Sequence, residues 1–179
     1  QRRLAELDAE KNISAMPPAI VGGALVIPIG LLKQLTGDVQ EVGLFGENRR
    51  EIELAGMKAV MDIETELGYS PIDVSAKKVG YDIESTIPAD QRHGGPCVRF
   101  LEVKGRVKGA TTVTVSKNEI LTALNKPEEF ILAIVEVDGG NTKTLYLRTP
   151  FKSAPDFAAT SVNYDINELT GGAEIMLRK

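Results

Sequence analysis

The amino-acid sequence predicts an α/β domain with a central mixed β-sheet flanked by helices. A broad apolar stripe at helical spacing runs through residues 47–67, and a second helical segment, "NEILTALN", occupies 118–125. Apolar runs at strand length follow each helix, including the near-continuous "EFILAIVEV" at 129–137. This order of helix, strands, helix and strands is typical of a sheet covered by helices.

Residues 1–46 are predicted to form a flank made of a helix end, a strand and a short helix. The Pro17-Pro18 pair ends the first helix, because proline supplies no backbone N–H. The strand is expected at 19–27, and the segment "PIGLLKQL" begins with proline, as helices often do. Because the chain opens on Gln1 within a helical pattern, we expect it to be a fragment of a longer protein, with this flank joining it to an absent part.

The composition limits the cellular locations and the kinds of metal site that are expected. The longest apolar run, at 19–32, is interrupted by glycine and proline and is shorter than the roughly 20 residues of a spanning helix, so no membrane partner is expected. The single Cys97 cannot form an internal disulfide, which favours a cytoplasmic location. Cys97 and His93 alone cannot build a four-ligand zinc site, so oxygen atoms must hold any metal.

The main domain is predicted to span residues 47–150. Its leading helix ends at Gly68, and Glu53 and Glu64 lie at helical spacing along it, so at least one of them can approach the core. The alternative for each glutamate is a solvated flank. Residues 151–179 are expected to form an extension that packs on the sheet or on a partner.

Further elements of this domain follow from local motifs. Short strands are predicted at 79–84, 97–104 and 111–115, where apolar residues cluster between turn signals. The tetrapeptide "SKNE" is a capping box, in which Ser116 and Glu119 begin the second helix and satisfy each other's backbone N–H groups. The segment "DGGN" at 138–141 predicts a hairpin turn.

Positive charge is concentrated in one part of an acidic chain. The net charge is −4, yet residues 92–117 carry six basic residues and one acid. Such a local patch is expected where a protein faces phosphate, although an ordinary solvated surface is the alternative. The candidate nucleic-acid contacts are Arg92, Arg99, Arg106, Lys108 and Lys117.

The strand at 97–104 carries two charges at the end of an otherwise apolar line. Residues two apart share a face of a strand, so Glu102 and Lys104 project together, following Val98 and Phe100. A carboxylate in apolar surroundings costs several kcal/mol unless it is paired or bound to a cation. A simple ion pair at a strand end is one explanation for this pattern.

Asp82 favours a second explanation. If its own short strand, at 79–84, and the strand at 97–104 are neighbours, Asp82 reaches the same edge of the sheet as Glu102 and Lys104. Two carboxylates, a backbone carbonyl such as that of Val103, and water form a suitable oxygen set for Mg²⁺ or Mn²⁺. The cation would activate water while Lys104 stabilises charge, which is the minimum required for metal-assisted phosphodiester hydrolysis.

The segments "GYDIES", "RFLEVKGR" and "VSKNEILTA" together resemble the NO VEIN C-terminal domain family. That family is placed within the PD-(D/E)xK nuclease superfamily, which has a restriction-endonuclease-like fold, and it often follows helicase-type ATPases of bacteria and archaea. The resemblance implies that Asp82 and Glu102 bind the metal, that Lys104 is the catalytic lysine, and that Glu53 is an additional acid near the metal. Tyr81 stands where the superfamily motif has proline.

The resemblance therefore implies a metal-dependent DNA endonuclease domain attached to a helicase-type motor, acting in defence or DNA repair. Many domains of this fold have lost activity. The alternative is a catalytically inactive nuclease-fold module that binds DNA or assembles the parent helicase, and metal dependence separates the two.

Overall fold

The computed structural model describes residues 42–179, and Gly43–Lys179 form one compact unit. None of the helices in this part of the chain is long and apolar enough to cross a membrane. The helices and strands, in chain order, are α1 (Val42–Glu66), β1 (Ser70–Asp73), β2 (Ile83–Thr86), β3 (Val98–Val107), β4 (Thr112–Ser116), α2 (Lys117–Asn125), β5 (Phe130–Asp138), β6 (Asn141–Arg148), β7 (Ser161–Asp165), α3 (Ile166–Gly172) and β8 (Glu174–Arg178).

Six strands form a mixed sheet in the order β1-β2-β3-β5-β6-β8. The central pair, β3 and β5, is parallel, and every other neighbour pair in this sheet is antiparallel. The parallel pair requires a crossover, which β4 and α2 supply between the two strands. A separate antiparallel pair joins β4 to β7. The prediction of a central mixed sheet with helices is confirmed.

Each face of the main sheet has its own apolar core. On one face, α1 contributes Val60 and Ile63, which pack with Leu101 and Ile131 of the two central strands. On the other face, Ile120 of α2 packs with residues of β4, β5 and α3. Strand alternation assigns Leu101 to the α1 face, so the side chains of Phe100, Glu102 and Lys104 project toward α2.

Several local predictions are confirmed. Helix α1 covers the predicted stripe, beginning at Val42, and the hairpin turn follows β5, with Asp138 paired to Asn141. The capping box of α2 forms, because the Glu119 N–H donates to Ser116 Oγ at 3.3 Å and the Ser116 N–H donates to Glu119 Oε2 at 3.0 Å.

The strand predicted at 79–84 is displaced along the chain. The structure begins β2 at Ile83 and adds β1, which the sequence pattern did not indicate. Gly80 explains the shift, since it has a φ of +93° and a Cβ at this position would lie 2.2 Å from Thr122 Oγ1 of α2. The chain therefore turns against α2 at Gly80, where a strand was expected to continue.

The segment 151–179 is built into the domain. It supplies β7, which pairs with β4, and β8, which pairs with β6 at the edge of the main sheet. Helix α3 lies between them and buries Leu169 in the core on the α2 face. The predicted flank at 1–46 lies outside the described residues, except that residues 42–46 belong to α1.

Gly105 allows α1 to approach the sheet closely, and replacing it with alanine is expected to lower stability. A Cβ at Gly105 would lie 2.6 Å from the Ile52 carbonyl oxygen, and a Cβ at Gly56 would lie 3.3 Å from Gly105. Because both neighbours are backbone, Gly105→Ala is expected to cost about 1–3 kcal/mol of unfolding free energy, measured by urea denaturation. Gly140→Ala is the control, since nothing lies within 4 Å of its Cβ position. Equal losses in both variants would contradict this account.

Candidate metal and phosphodiester site

A pocket of about 230 Å³ lies where α2 begins, beside β3 and the segment that leads into β2. Asp82 and Glu102, two of the acids singled out in the sequence, both line it. Its lining residues are Ser75, Lys78, Gly80, Tyr81, Asp82, Glu102, Ser116, Asn118 and Glu119. Lys104 reaches the same place through the ion pairs described below.

Asp82 is held at the point where β2 stops pairing with β3. Its N–H donates to the Leu101 carbonyl at 2.9 Å, and its Oδ2 accepts from the Val103 N–H at 3.0 Å. The Asp82 carboxylate thus takes the place of the β2 carbonyl that would otherwise accept the Val103 N–H. Because the N–H and C=O of one strand residue point to the same side, the Val103 carbonyl is directed toward Asp82 as well. Asp82 precedes β2, whereas the sequence pattern placed it at the end of a strand.

Glu102 and Lys104 form a buried ion pair on the α2 face of β3. Lys104 Nζ lies 2.6 Å from Glu102 Oε1. The Lys104 side chain is 15% exposed and the Glu102 side chain is 5% exposed. The same ammonium lies 2.7 Å from Glu119 Oε2. Lys104 therefore bridges a carboxylate of the sheet and a carboxylate of the helix, and its position is fixed from two directions.

Glu119 is the site residue that the sequence reasoning missed. Its role in the capping box accounted for it fully, yet the structure shows that its carboxylate both caps α2 and pairs with Lys104. The capping motif fixes the glutamate at the helix start, but only the packing of α2 on the sheet directs that start toward Lys104. Lys78 and Asn118 also line the pocket, and no pattern in the sequence indicates either of them.

Burial and crowding of carboxylates shift the titration of this cluster. Burial, reinforced by Asp82 and Glu119, raises the pKa of Glu102 to about 8, although Lys104 opposes the rise. Burial also raises the pKa of Asp82, despite its bond from Val103. Burial alone would lower the pKa of Lys104, but the ion pairs outweigh it and raise that pKa.

The pKa of Glu119 shifts in the opposite direction from the pKa values of Asp82 and Glu102. Burial favours its neutral form, but Lys104 and the Ser116 bonds outweigh burial, so its pKa is lowered. Strongly perturbed carboxylates that share a cleft are typical of functional sites. Here three carboxylates line one pocket, and Lys104 pairs directly with two of them, Glu102 and Glu119.

The donor set suits a hard divalent cation. Among residues 42–179, no group of three or more His, Cys, Asp or Glu side chains is placed to hold a metal ion. Asp82 and Glu102, with the Val103 carbonyl and water, are the oxygens that would hold a cation here, and Mg²⁺ and Mn²⁺ accept such a combination. A cation would also offset the charge that makes ionised Glu102 costly.

Glu53, predicted as an additional acid, is not brought to the pocket. It lies on α1, which covers the opposite face of the sheet, and its exposed carboxylate pairs with Arg49 at 3.0 Å. Glu64 is the α1 glutamate that approaches the core. It is fully buried, and its Oε1 lies 3.3 Å from Arg99 Nη1.

The five candidate phosphate contacts are already engaged within the protein. Arg99 pairs with Glu64 and lies over the Tyr69 ring at 4.7 Å. Backbone carbonyls accept bonds from the others, except that Lys108 pairs with Asp138 at 2.7 Å. The carbonyl contacts are Arg92 with Ile87, Arg106 with Gly105 and Thr112, and Lys117 with Asp156 and Phe157. None of these five cations lines the 230 Å³ pocket.

Glu102→Gln is expected to stabilise the metal-free protein at high pH. Because the folded-state pKa of about 8 lies above the ordinary value of 4.5, folding favours the protonated form, and this advantage is lost as pH rises toward and through 8. In EDTA at pH 9, the variant should gain about 1 kcal/mol or more of unfolding free energy, and at pH 4 the gain should vanish. Asp62→Asn, an exposed acid on α1, is the control. A loss of stability at pH 9 would contradict the expectation.

Comparison with models of protein families shows which family the chain resembles. A family model described as Protein NO VEIN, C-terminal, matches residues 52–147, which is more than half of the chain. No curated protein and no solved structure matches it. The matched range contains Asp82, Glu102, Lys104 and Glu119, so the whole pocket cluster falls within the part that the family shares. The chain belongs to the family of the C-terminal domain of protein NO VEIN.

Proposed function

We propose that this domain is a metal-dependent DNA endonuclease of the PD-(D/E)xK type, hydrolysing phosphodiester bonds. The observation that supports this most is the convergence at one pocket of Asp82, directly before β2, with Glu102 and Lys104 of the neighbouring β3. An ion pair alone needs only Glu102 and Lys104, whereas Asp82 adds a second carboxylate to the same pocket.

Asp82, Glu102 and the Val103 carbonyl are the groups that would hold the cation. When bound, Mg²⁺ or Mn²⁺ would polarise a phosphate oxygen and lower the pKa of a bound water. Burial of Glu102 leaves its ionised form poorly compensated in the metal-free protein, so a cation that displaces the Glu102 proton would supply the missing positive charge.

The remaining groups of the pocket have roles that follow from their positions. The Lys104 ammonium lies beside Glu102, so it can orient the attacking water or donate to a phosphate oxygen as negative charge develops there. Glu119 anchors that ammonium from the helix side and keeps it charged. Water adds to phosphorus, the bond from phosphorus to the leaving oxygen breaks, and a proton passes to that oxygen.

The setting of this activity is a further part of the proposal. The family resemblance supports a parent chain in which the domain follows a helicase-type motor, with DNA as the common partner. Defence against foreign DNA or DNA repair would both use a nuclease coupled to strand separation.

The direct test is cleavage of single-stranded and duplex DNA by the chain in Mn²⁺, with EDTA and Asp82→Asn as controls. Asp82→Asn keeps the shape and the bond from the Val103 N–H but removes the charge that holds the cation. Cleavage that disappears in both controls would support the proposal. Cleavage that persists in EDTA would contradict it.

The second candidate is a catalytically inactive nuclease-fold module that binds DNA or assembles the parent helicase. One observation favours it: Lys104 is bridged by two carboxylates at 2.6 and 2.7 Å, as a purely structural charge cluster would be. This module would bind DNA equally well in EDTA and in Mn²⁺. Absence of cleavage together with such metal-independent binding would select it over the nuclease.

A further inference from the structure

A second and larger pocket, of about 640 Å³, opens on the same face of the main sheet as Lys104. Its floor is apolar, with Ile134 and Leu145 of the sheet facing Ile166 of α3. This volume lies within the usual range of small-molecule sites, about 300–1,000 Å³. The proposed nuclease chemistry uses none of these residues.

Positive charge surrounds this pocket. Arg106, Lys143 and Arg178 line it against one acid, Glu136, and Lys179 also borders it, although its ammonium pairs with Glu66 of α1. The Glu136 carboxylate already accepts from the Gly109 N–H at 3.2 Å, which partly offsets its charge. In a chain of net charge −4, such a concentration of cations around a cavity favours an anionic ligand.

The cationic side chains around the pocket differ in the groups that they already contact. Lys179 pairs with Glu66, and the Arg106 guanidinium donates to the Gly105 and Thr112 carbonyls. Within the described part of the chain, no ion pair joins Lys143 or Arg178 to a carboxylate, and both side chains are exposed. These two cations are therefore available to a ligand.

Sheet register connects this pocket with the proposed nuclease site. Lys104 lies opposite Ile134, Ile134 lies opposite Leu145, and Leu145 lies opposite Arg178. This row crosses four strands on one face, and strands are spaced about 4.8 Å apart, so Arg178 lies on the order of 14 Å from Lys104. Since phosphates along one strand of DNA rise about 3.4 Å each, the pocket is a few nucleotides away from the scissile position.

We propose that this pocket binds a nucleotide, with its base on the apolar floor and its phosphate at Arg178 and Lys143. Arginine suits phosphate because its planar fork donates two parallel hydrogen bonds. The exposed Asn167 amide at the rim both donates and accepts, as the edge of a base requires. The nucleotide comes either from solution or from a nucleic-acid strand, and only the strand form rests on the proposed function.

The test measures binding by the full chain in EDTA at low salt, so that cleavage plays no part. The probes are adenosine monophosphate, a 5′-phosphorylated pentathymidylate, pyrophosphate and a pentaglutamate peptide. The pocket variant combines Lys143→Gln with Arg178→Gln, and the control combines Arg50→Gln with Lys58→Gln on α1. Both double variants remove two positive charges, so a general effect of net charge is matched.

The expected result is that a nucleotide probe binds and that the pocket variant weakens it about tenfold or more, since a hydrogen bond to a charged group contributes about 1.5–3 kcal/mol. The control should bind as the unaltered chain does. Binding of adenosine monophosphate identifies a free nucleotide as ligand, and binding of pentathymidylate alone identifies a strand. Both outcomes support the pocket.

Three outcomes would overturn the proposal. One is no binding of either nucleotide probe, another is equal weakening in both double variants, and the third is equally tight binding of pyrophosphate or pentaglutamate. Chemical-shift changes at the methyl groups of Ile134, Leu145 and Ile166 provide a check on location. None of these measurements depends on catalysis. The proposal for the pocket can therefore be refuted while the proposed nuclease activity is supported, and the reverse also holds.

Discussion

Lys104→Ala is expected to reduce metal-dependent DNA cleavage by about 10³-fold. Removing one group that stabilises transition-state charge in a water-excluded site costs about 10²–10³-fold in rate. The loss here should reach the upper end, because Lys104 is the only cation paired directly with the cluster of Glu102 and Glu119 in the described structure. Single-turnover cleavage in Mn²⁺ measures the chemical step directly.

The control for Lys104→Ala must separate lost chemistry from lost structure. Without the ammonium, Glu102 and Glu119 are left buried and unpaired, which destabilises the metal-free protein. The melting temperature should therefore fall in EDTA and recover in Mn²⁺, because the cation restores charge balance. Lys58→Ala removes an exposed lysine from α1, on the opposite face of the sheet, and should change neither the rate nor the melting temperature. A Lys104→Ala protein that is folded in Mn²⁺ and cleaves at the normal rate would contradict the catalytic role assigned to Lys104.

Periodicity was sufficient to predict the elements that carry the site. The alternation along 97–104 placed Glu102 and Lys104 on one face, and the structure confirms that arrangement. The capping box predicted the start of α2, which forms at Ser116 as expected. These features depend on residues a few positions apart, so local geometry determines them.

Contacts between distant elements could not be predicted in the same way. Glu119 reaches Lys104 only because α2 follows β4 directly and its first turn lies beside β3, and no local pattern specifies that packing. Glu53 and Glu64 share one helix and one spacing pattern, yet the first is exposed and the second is fully buried. Which of them faces the core depends on where Gly105 and Gly56 let α1 approach the sheet.

Arg99 shows how charge patterning alone can suggest a surface role. It lies in the basic window of the sequence, but its side chain is 15% exposed and pairs with a glutamate that is fully buried. The Tyr69 ring covers the guanidinium at 4.7 Å, and the Tyr146 hydroxyl and Glu64 Oε2 are both buried nearby. Burial, followed by the charge of Glu64, raises the pKa of Tyr146.

Arg99→Ala is accordingly expected to cost about 3–5 kcal/mol of unfolding free energy, because it leaves Glu64 charged and unpaired in the core. Urea denaturation at pH 7 measures the loss, and Arg92→Ala, whose guanidinium donates to a loop carbonyl, should lose far less. Combining Arg99→Met with Glu64→Leu removes both charges and should restore most of the stability. If Arg99→Ala instead keeps full stability and weakens only DNA binding, then Arg99 faces phosphate as the charge pattern indicated. The structure predicts the reverse, since an arginine that is needed to neutralise a buried carboxylate cannot leave it to follow a strand of DNA.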